Sequence, residues 1–140
     1  MKTARWLGLT QTALALILLA GCGRAPLTAV HGKVAYKGMM LQGGVIVFTP
    51  DANRGERGSI AVGKIREDGS YTLFTGEQAG ACAGWYRVTV TSLASASGYG
   101  NPGFTPPQSM LPERYRDPDS SQLACEVKAS RTNNIDFNLD

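Results

Sequence analysis

Histidine is almost missing from this chain of 140 residues: His31 is the single one. That excludes any metal centre needing two imidazoles, such as a His-rich zinc site. No run of five like charges occurs, and a formal charge of +3 with 18% charged residues is too low for a nucleic-acid-binding tail. An apolar fraction of 43% is too high for a disordered chain. There is no Gly-x-Ser-x-Gly elbow, no phosphate-cradling loop and no Cys-x-x-Cys pair. A Ser-His-Asp triad would have to use His31, and a lone histidine beside Lys33 on a strand's outward parity reads as a surface residue. The sequence therefore predicts no enzyme, no catalytic residue, no resident metal or cofactor and no nucleic-acid partner.

The long hydrophobic run of a permanent membrane span is also lacking, since the apolar stretch at residues 6–20 is interrupted by Thr10, Gln11 and Thr12. It follows two cations, Lys2 and Arg5, and suits the core of a signal-peptide helix. The run ends in Leu19-Ala20-Gly21-Cys22, which resembles the bacterial lipobox. Small residues admit the backbone to a peptidase cleft, and the Cys22 thiol is the nucleophile that takes up diacylglycerol. The expected organisation is a signal peptide at 1–21, a lipidated start and tether at 22–28, and one domain at 29–140. Cleavage before Cys22 removes Lys2 and Arg5, leaving a chain of 119 residues with a charge of about +1. Attachment is then by acyl chains at about 0.8 kcal/mol per buried CH₂, with no basic patch required. Position 23 is Gly and not Asp, which by resemblance to Gram-negative sorting favours the outer membrane, facing the periplasm.

From Val30 onward β-branched and aromatic residues alternate with period two between Gly, Asn and Asp punctuation, and no segment sustains a helical period. Seven strands are predicted, at 30–36, 44–48, 59–65, 70–74, 84–92, 123–129 and 134–139, giving an all-β, seven-stranded antiparallel β-sandwich. Alternation places Tyr86, Val88 and Val90 inward, with Leu123, Cys125, Val127 and Ala129, and Ile135, Phe137 and Leu139. The run 44–48 is apolar on both parities and reads as a central strand touched on both sides. Asp68-Gly69 and Lys37-Gly38 are turn signals, and residues 131–134 are read as closing the last hairpin.

Taken in order, Val30-x-Gly32-x-Val34, Gly43-Gly44-x-x-x-Phe48-x-Pro50, Asp68-Gly69-Ser70-Tyr71-x-Leu73 and Gly84-x-Tyr86-x-Val88-x-Val90 resemble the carboxypeptidase regulatory-like, transthyretin-like (prealbumin-type) domain. The stretch Leu111-Pro112-Glu113-Arg114-Tyr115-x-Asp117-Pro118 and the closing Asn134-x-Asp136-Phe137-x-Leu139 resemble small lipoproteins of this kind abundant in planctomycete bacteria. The resemblance spans about residues 29–139 and implies an accessory or structural domain with no known catalytic activity. Transthyretin-like hydrolases of the purine pathway use several His and Arg residues and a characteristic C-terminal motif. A chain with one His that ends Asn138-Leu139-Asp140 does not carry that activity over.

Cys82 and Cys125 both fall on the inward parity. In an oxidising compartment they either pair, closing a loop of about 43 residues worth roughly 4 kcal/mol, or remain two separate buried thiols. Two loops offer binding surface. Residues 92–110 carry Tyr99 and Phe104 among Gly, Ser and Pro, where an aromatic face can stack on a sugar or a partner, and the alternative is a plain insertion between strands. Residues 111–123 carry Tyr115, read as a binding aromatic or as packing over a sandwich edge, and Asp117-Pro118-Asp119-Ser120. Those oxygens suit calcium, but the Gly and distal Glu of an EF-hand loop are missing. The functional expectation is a membrane-anchored envelope lipoprotein with a structural or interaction role, toward an envelope protein or glycan. A carbohydrate- or peptidoglycan-binding module is the alternative.

Overall fold

The computed structural model describes residues 25–93, 108–129 and 131–140, and every structural statement below concerns these. The chain is all-β, with strands β1 (Leu27–Thr28), β2 (Val30–Tyr36), β3 (Met39–Met40), β4 (Gly44–Pro50), β5 (Ala61–Ile65), β6 (Ser70–Thr75), β7 (Gln78–Ala79), β8 (Ala81–Cys82), β9 (Gly84–Thr91), β10 (Leu123–Val127), β11 (Asn133–Asn134) and β12 (Phe137–Leu139). Single helical turns at Ala52–Arg54 and Glu113–Arg116 are the helical segments among the described residues.

The strands form a curled, mainly antiparallel sheet in the order β10-β9-β4-β5-β6-β2-β11, with β3 and β12 also on β2 and β7 on β6. The curl is made by β6. Its later residues pair with β5, Leu73 opposite Gly63 and Phe74 opposite Val62, while Ser70, Tyr71 and Thr72 pair with Lys33, Gly32 and His31 of β2. Inside the curl Phe48 is fully buried, with ring centroids 6.2 Å from Tyr71, 5.8 Å from Tyr86 and 5.9 Å from Phe137 in an edge-on contact. Tilted and edge-on pairs of this kind add about 0.5–1.5 kcal/mol each beyond the apolar area they bury.

Alternation is realised strand by strand. In β2, Val30 and Val34 are buried, while His31 and Lys33 turn outward between them. Tyr86, Val88 and Val90 are buried as expected, as are Val127, Phe137 and Leu139, and Leu123, Cys125 and Ile135 pack partly against them. Ala129 is exposed, because β10 ends at Val127 and the residues beyond it leave the ladder.

Three expectations are corrected. First, β4 is central in hydrogen bonding, between β9 and β5, but one of its faces is open: Ile46 and Phe48 are buried, whereas Val45 is 38% exposed. Val47 lies across from Val62, itself 38% exposed and opposite Phe74 at 43%, so a partly apolar face points away from the core. A continuous apolar run reflects strand propensity here, not coverage on both sides.

Second, residues 131–134 close no hairpin. β10 and β11 lie at opposite ends of the strand order, and the final segment runs parallel to β2, with Asn133 opposite Val30 and Phe137 opposite Val34. The crossing is held by the buried Asn133 side chain, which accepts from Lys128 N and donates to the carbonyls of Lys128 and Arg131. The predicted last strand splits into β11 and β12 because side chains replace ladder bonds at the join. Asp136 Oδ1 accepts from Lys33 N at 2.7 Å, and the Ile135 carbonyl accepts from Tyr71 OH at 2.6 Å.

Third, both turns are present, but the strand that follows Lys37-Gly38 is not the expected one. Arg66 and Ser70 close the Asp68-Gly69 hairpin, with Gly69 at φ 78°, as expected. Lys37 (φ 50°) and Gly38 (φ 78°) fold β2 back only onto the two-residue β3.

Candidate functional site

The antiparallel register of β2 and β6 determines which polar side chains meet. His31 lies opposite Thr72 and Lys33 opposite Ser70, and these four share the face turned away from the core. Asn134 of β11 lies beside His31 on the other flank. Arg66 comes from the β5–β6 turn and donates to Ser70 Oγ at 3.3 Å. With Asp136 these residues line an open groove of about 510 Å³.

The carboxylates around the groove are engaged with backbone donors. Asp136 Oδ1 accepts from Lys33 N. Asp68 Oδ1 accepts from Ser70 Oγ at 2.6 Å and Ser70 N at 3.0 Å, and the Ser70 hydroxyl first, then its amide, hold the carboxyl below the usual range. Among the described residues the ion pairs are all elsewhere, on Asp51, Arg54, Arg87 and Asp119, so the Lys33 and Arg66 cations carry no carboxylate partner there. The groove thus mixes cations, hydroxyls, a carboxamide and a carboxylate along one open face. It is suited to binding and orienting polar groups.

A second polar cluster sits over β9. Asp51 is buried and accepts from Asn53 N and from Arg87 Nε, each at 3.1 Å, while Arg54 approaches its other oxygen. Arg54 stacks on the Trp85 ring at 3.8 Å, and Arg87 also reaches Asp119. Each group here is answered by another, so the cluster fastens the Ala52–Arg54 turn to β9.

Of the residues singled out by the sequence, Leu19, Ala20, Gly21, Cys22, Tyr99 and Phe104 lie outside the described residues. The Cys82–Cys125 disulfide is not formed, and both are free, half-buried thiols. Cys125 lies opposite Tyr86 in the β9–β10 ladder, whereas Cys82 pairs with Leu27 in β1. The two cysteines thus belong to different ladders, with the bend at Ala83 between β8 and β9. Burial pushes the Cys125 thiol up to about 12, so it is an inert core group.

Tyr115 is 4% exposed, and its ring has no free face for a ligand. Its hydroxyl donates to Asp140 O at 3.1 Å and accepts from Asp140 N at 3.0 Å, with Arg114 donating to both that hydroxyl and Asp140 O. It fastens the Glu113–Arg116 turn to the end of β12. In the Asp117-Pro118-Asp119-Ser120 stretch, Asp117 Oδ1 accepts from Asp119 N, Asp119 pairs with Arg87, and Ser120 Oγ donates to Arg114 O. These oxygens are spent on turn and surface contacts, and no group of three metal-ligating side chains occurs among the described residues.

The groove was not visible in the sequence as a site. Its signals were present singly, in the outward parity of His31 and Lys33 and in Ser70 and Thr72 on alternate positions of a strand. Only the β2–β6 pairing joins them.

No protein-family model, curated protein or solved structure matches the chain.

Proposed function

We propose that this chain is a lipid-anchored protein of the bacterial envelope, held to the membrane through Cys22 and presenting a non-catalytic β-sandwich as an interaction module. The observation that carries this reading is the closeness of the lipobox to the folded edge. β1 is paired to β8 at Leu27 and Thr28, so part of the expected 22–28 tether is strand. Four residues lie between Cys22 and Leu27, so five Cα-to-Cα steps span at most about 18 Å at roughly 3.5 Å each. A folded domain beginning so soon after Leu19-Ala20-Gly21-Cys22 suits a lipid anchor better than a helix continuing into the core.

The seven-stranded sandwich of carboxypeptidase regulatory-like type belongs to the same proposal. Its support is the curl at β6, which brings β2 and β12 over the face of β4, β5 and β9 and encloses the Phe48 cluster. Gly23 favours an outer-membrane address on the periplasmic side. The non-catalytic reading rests on the single His31, carried outward on β2 among polar side chains.

Metabolic labelling with a clickable palmitate analogue tests the anchor. The wild-type chain takes up label and sediments with membranes, and Cys22→Ala loses both. Unchanged labelling and fractionation in Cys22→Ala would remove the anchor reading.

A further inference from the structure

We propose that the groove between β2, β6 and β11 binds an acidic saccharide, with Lys33 and Arg66 taking its anionic group and His31, Thr72, Asn134 and Asp136 taking its hydroxyls. This deepens the interaction-module reading by naming a site and a ligand class, and it is independent of the lipid anchor.

His31 and Lys33, Arg66, and Asn134 and Asp136 come from three separate parts of the chain and line one concavity of about 510 Å³. That size lies within the range of about 300–1,000 Å³ common for small-ligand sites. Surface lysines and arginines ordinarily spread apart or pair with carboxylates. Here Asp68 and Asp136 are turned to the backbone N–H groups of Ser70 and Lys33, which leaves both side-chain cations available. Arg66 is partly oriented by its bond to Ser70 Oγ, so less freedom is lost when it engages an oxyanion.

Charge balance then selects the ligand. Lys33 and Arg66 share the lining with Asp136, and Asp68 lies just outside it within reach of the Lys33 charge, so the long-range field is weak and a bare inorganic anion gains little. A ligand carrying one anionic group among hydroxyls meets the whole lining. Its carboxylate or phosphate takes charge-assisted bonds from Lys33 and Arg66, and its hydroxyls find both donors and acceptors in Thr72, Asn134 and Asp136. The Tyr71 ring is buried at 1% exposure, so the groove floor offers no stacking face. Affinity therefore rests on polar contacts, with a dissociation constant on the order of 0.1–1 mM.

The test titrates the ¹⁵N-labelled full chain in detergent micelles with galacturonate, with neutral galactose and with inorganic phosphate. Galacturonate, which carries one carboxylate, is expected to shift the amides of His31, Ser70, Thr72 and Asn134, the neutral sugar much less, and phosphate only weakly. Glucose 6-phosphate in a further arm shows whether a phosphate serves in place of the carboxylate. Lys33→Ala and Arg66→Ala each weaken binding by about tenfold, as loss of a charge-assisted bond does. Lys64→Ala, on β5 and outside the groove, leaves it unchanged. Lys33 and Arg66 are exposed, and an unaltered amide spectrum elsewhere establishes that their variants remain folded. Equal shifts by the neutral sugar, no shifts at all, phosphate binding as tight as galacturonate, or indifference to both substitutions would each overturn the proposal. Cys22→Ala leaves the titration as it was, so loss of the anchor and loss of the groove are read separately.

Discussion

Replacing Gly32 by alanine probes the join between β2, β6 and the final segment. Gly32 sits in the middle of β2 opposite Tyr71, and its need for glycine comes from space alone. A Cβ there would overlap the Ile135 carbonyl oxygen, stand 2.6 Å from its carbon and 2.9 Å from Tyr71 Cε1. Neither obstacle is the loose end of a flexible side chain. The Ile135 oxygen is held by Tyr71 OH at 2.6 Å, and the Tyr71 ring is packed on Phe48. Overpacking of this kind costs about 1–3 kcal/mol. Moving Ile135 also leaves the buried phenol without its acceptor, a further 1–3 kcal/mol or so. Lower unfolded-state entropy returns about 0.4–1 kcal/mol. The expected net loss is about 1–5.5 kcal/mol, or roughly 4–22 °C in Tm at about 4 °C per kcal/mol for a domain of this size. Urea and thermal unfolding followed by circular dichroism measure it. Gly38→Ala is the contrast, since Gly38 has φ 78° and open space around it. It costs only the backbone strain of a left-handed residue, about 1–2 kcal/mol. Tyr71→Phe completes a double-mutant cycle, costing about 1–2 kcal/mol in the wild type and close to nothing once Gly32→Ala has broken the bond. A Gly32→Ala protein within about 0.5 kcal/mol of the wild type would refute the reasoning.

Phe48→Ala empties the centre of the aromatic cluster and is expected to cost about 3–5 kcal/mol by the same denaturation assay. Asp51→Ala strips the acceptor from Asn53 N and leaves Arg87 with only the exposed Asp119, at about 2 kcal/mol, whereas Asp119→Ala costs under about 1 kcal/mol. Burial, aided by the nearby Cys82, pushes the Tyr86 phenol from its usual value near 10 up to about 12, and burial raises Tyr71 further still. The folded protein therefore holds protons that the unfolded chain releases, so this stabilisation is complete below about pH 10 and is lost as pH rises through about 12. Phenolate absorbance should show these two of the five tyrosines titrating only as circular dichroism reports unfolding; titration of all five near pH 10 in a native fold would contradict it. Burial likewise raises the Cys125 thiol to about 12, and iodoacetamide near neutral pH should modify it only in the denatured protein.

Much of the fold was legible because it is local. The bounds of β2 agree residue for residue with the reading from alternation, and β4, β5, β6 and β9 lie within two residues of theirs at each end. A side-chain period of two is a property of a strand itself, and it separated Val30 and Val34 from His31 and Lys33 without knowledge of any partner. β1, β3, β7 and β8 escaped because two residues carry no period. Tyr115 illustrates the other limit, for its burial depends on Asp140, 25 positions away.

What the sequence determined by itself is the all-β class, the facing of the long strands, the Asp68-Gly69 and Lys37-Gly38 turns, and the expectation of a lipid attached at Cys22. What only the tertiary structure decided is pairing: β6 shared between β5 and β2, a final segment parallel to β2, Cys82 and Cys125 on different partners, and His31, Lys33, Arg66 and Asp136 around one groove. Alternation is written into each strand by the geometry of its own backbone. Neighbours across a sheet are chosen by contacts between residues far apart in the chain, such as the Ile135 carbonyl that fits against β2 only because Gly32 has no side chain.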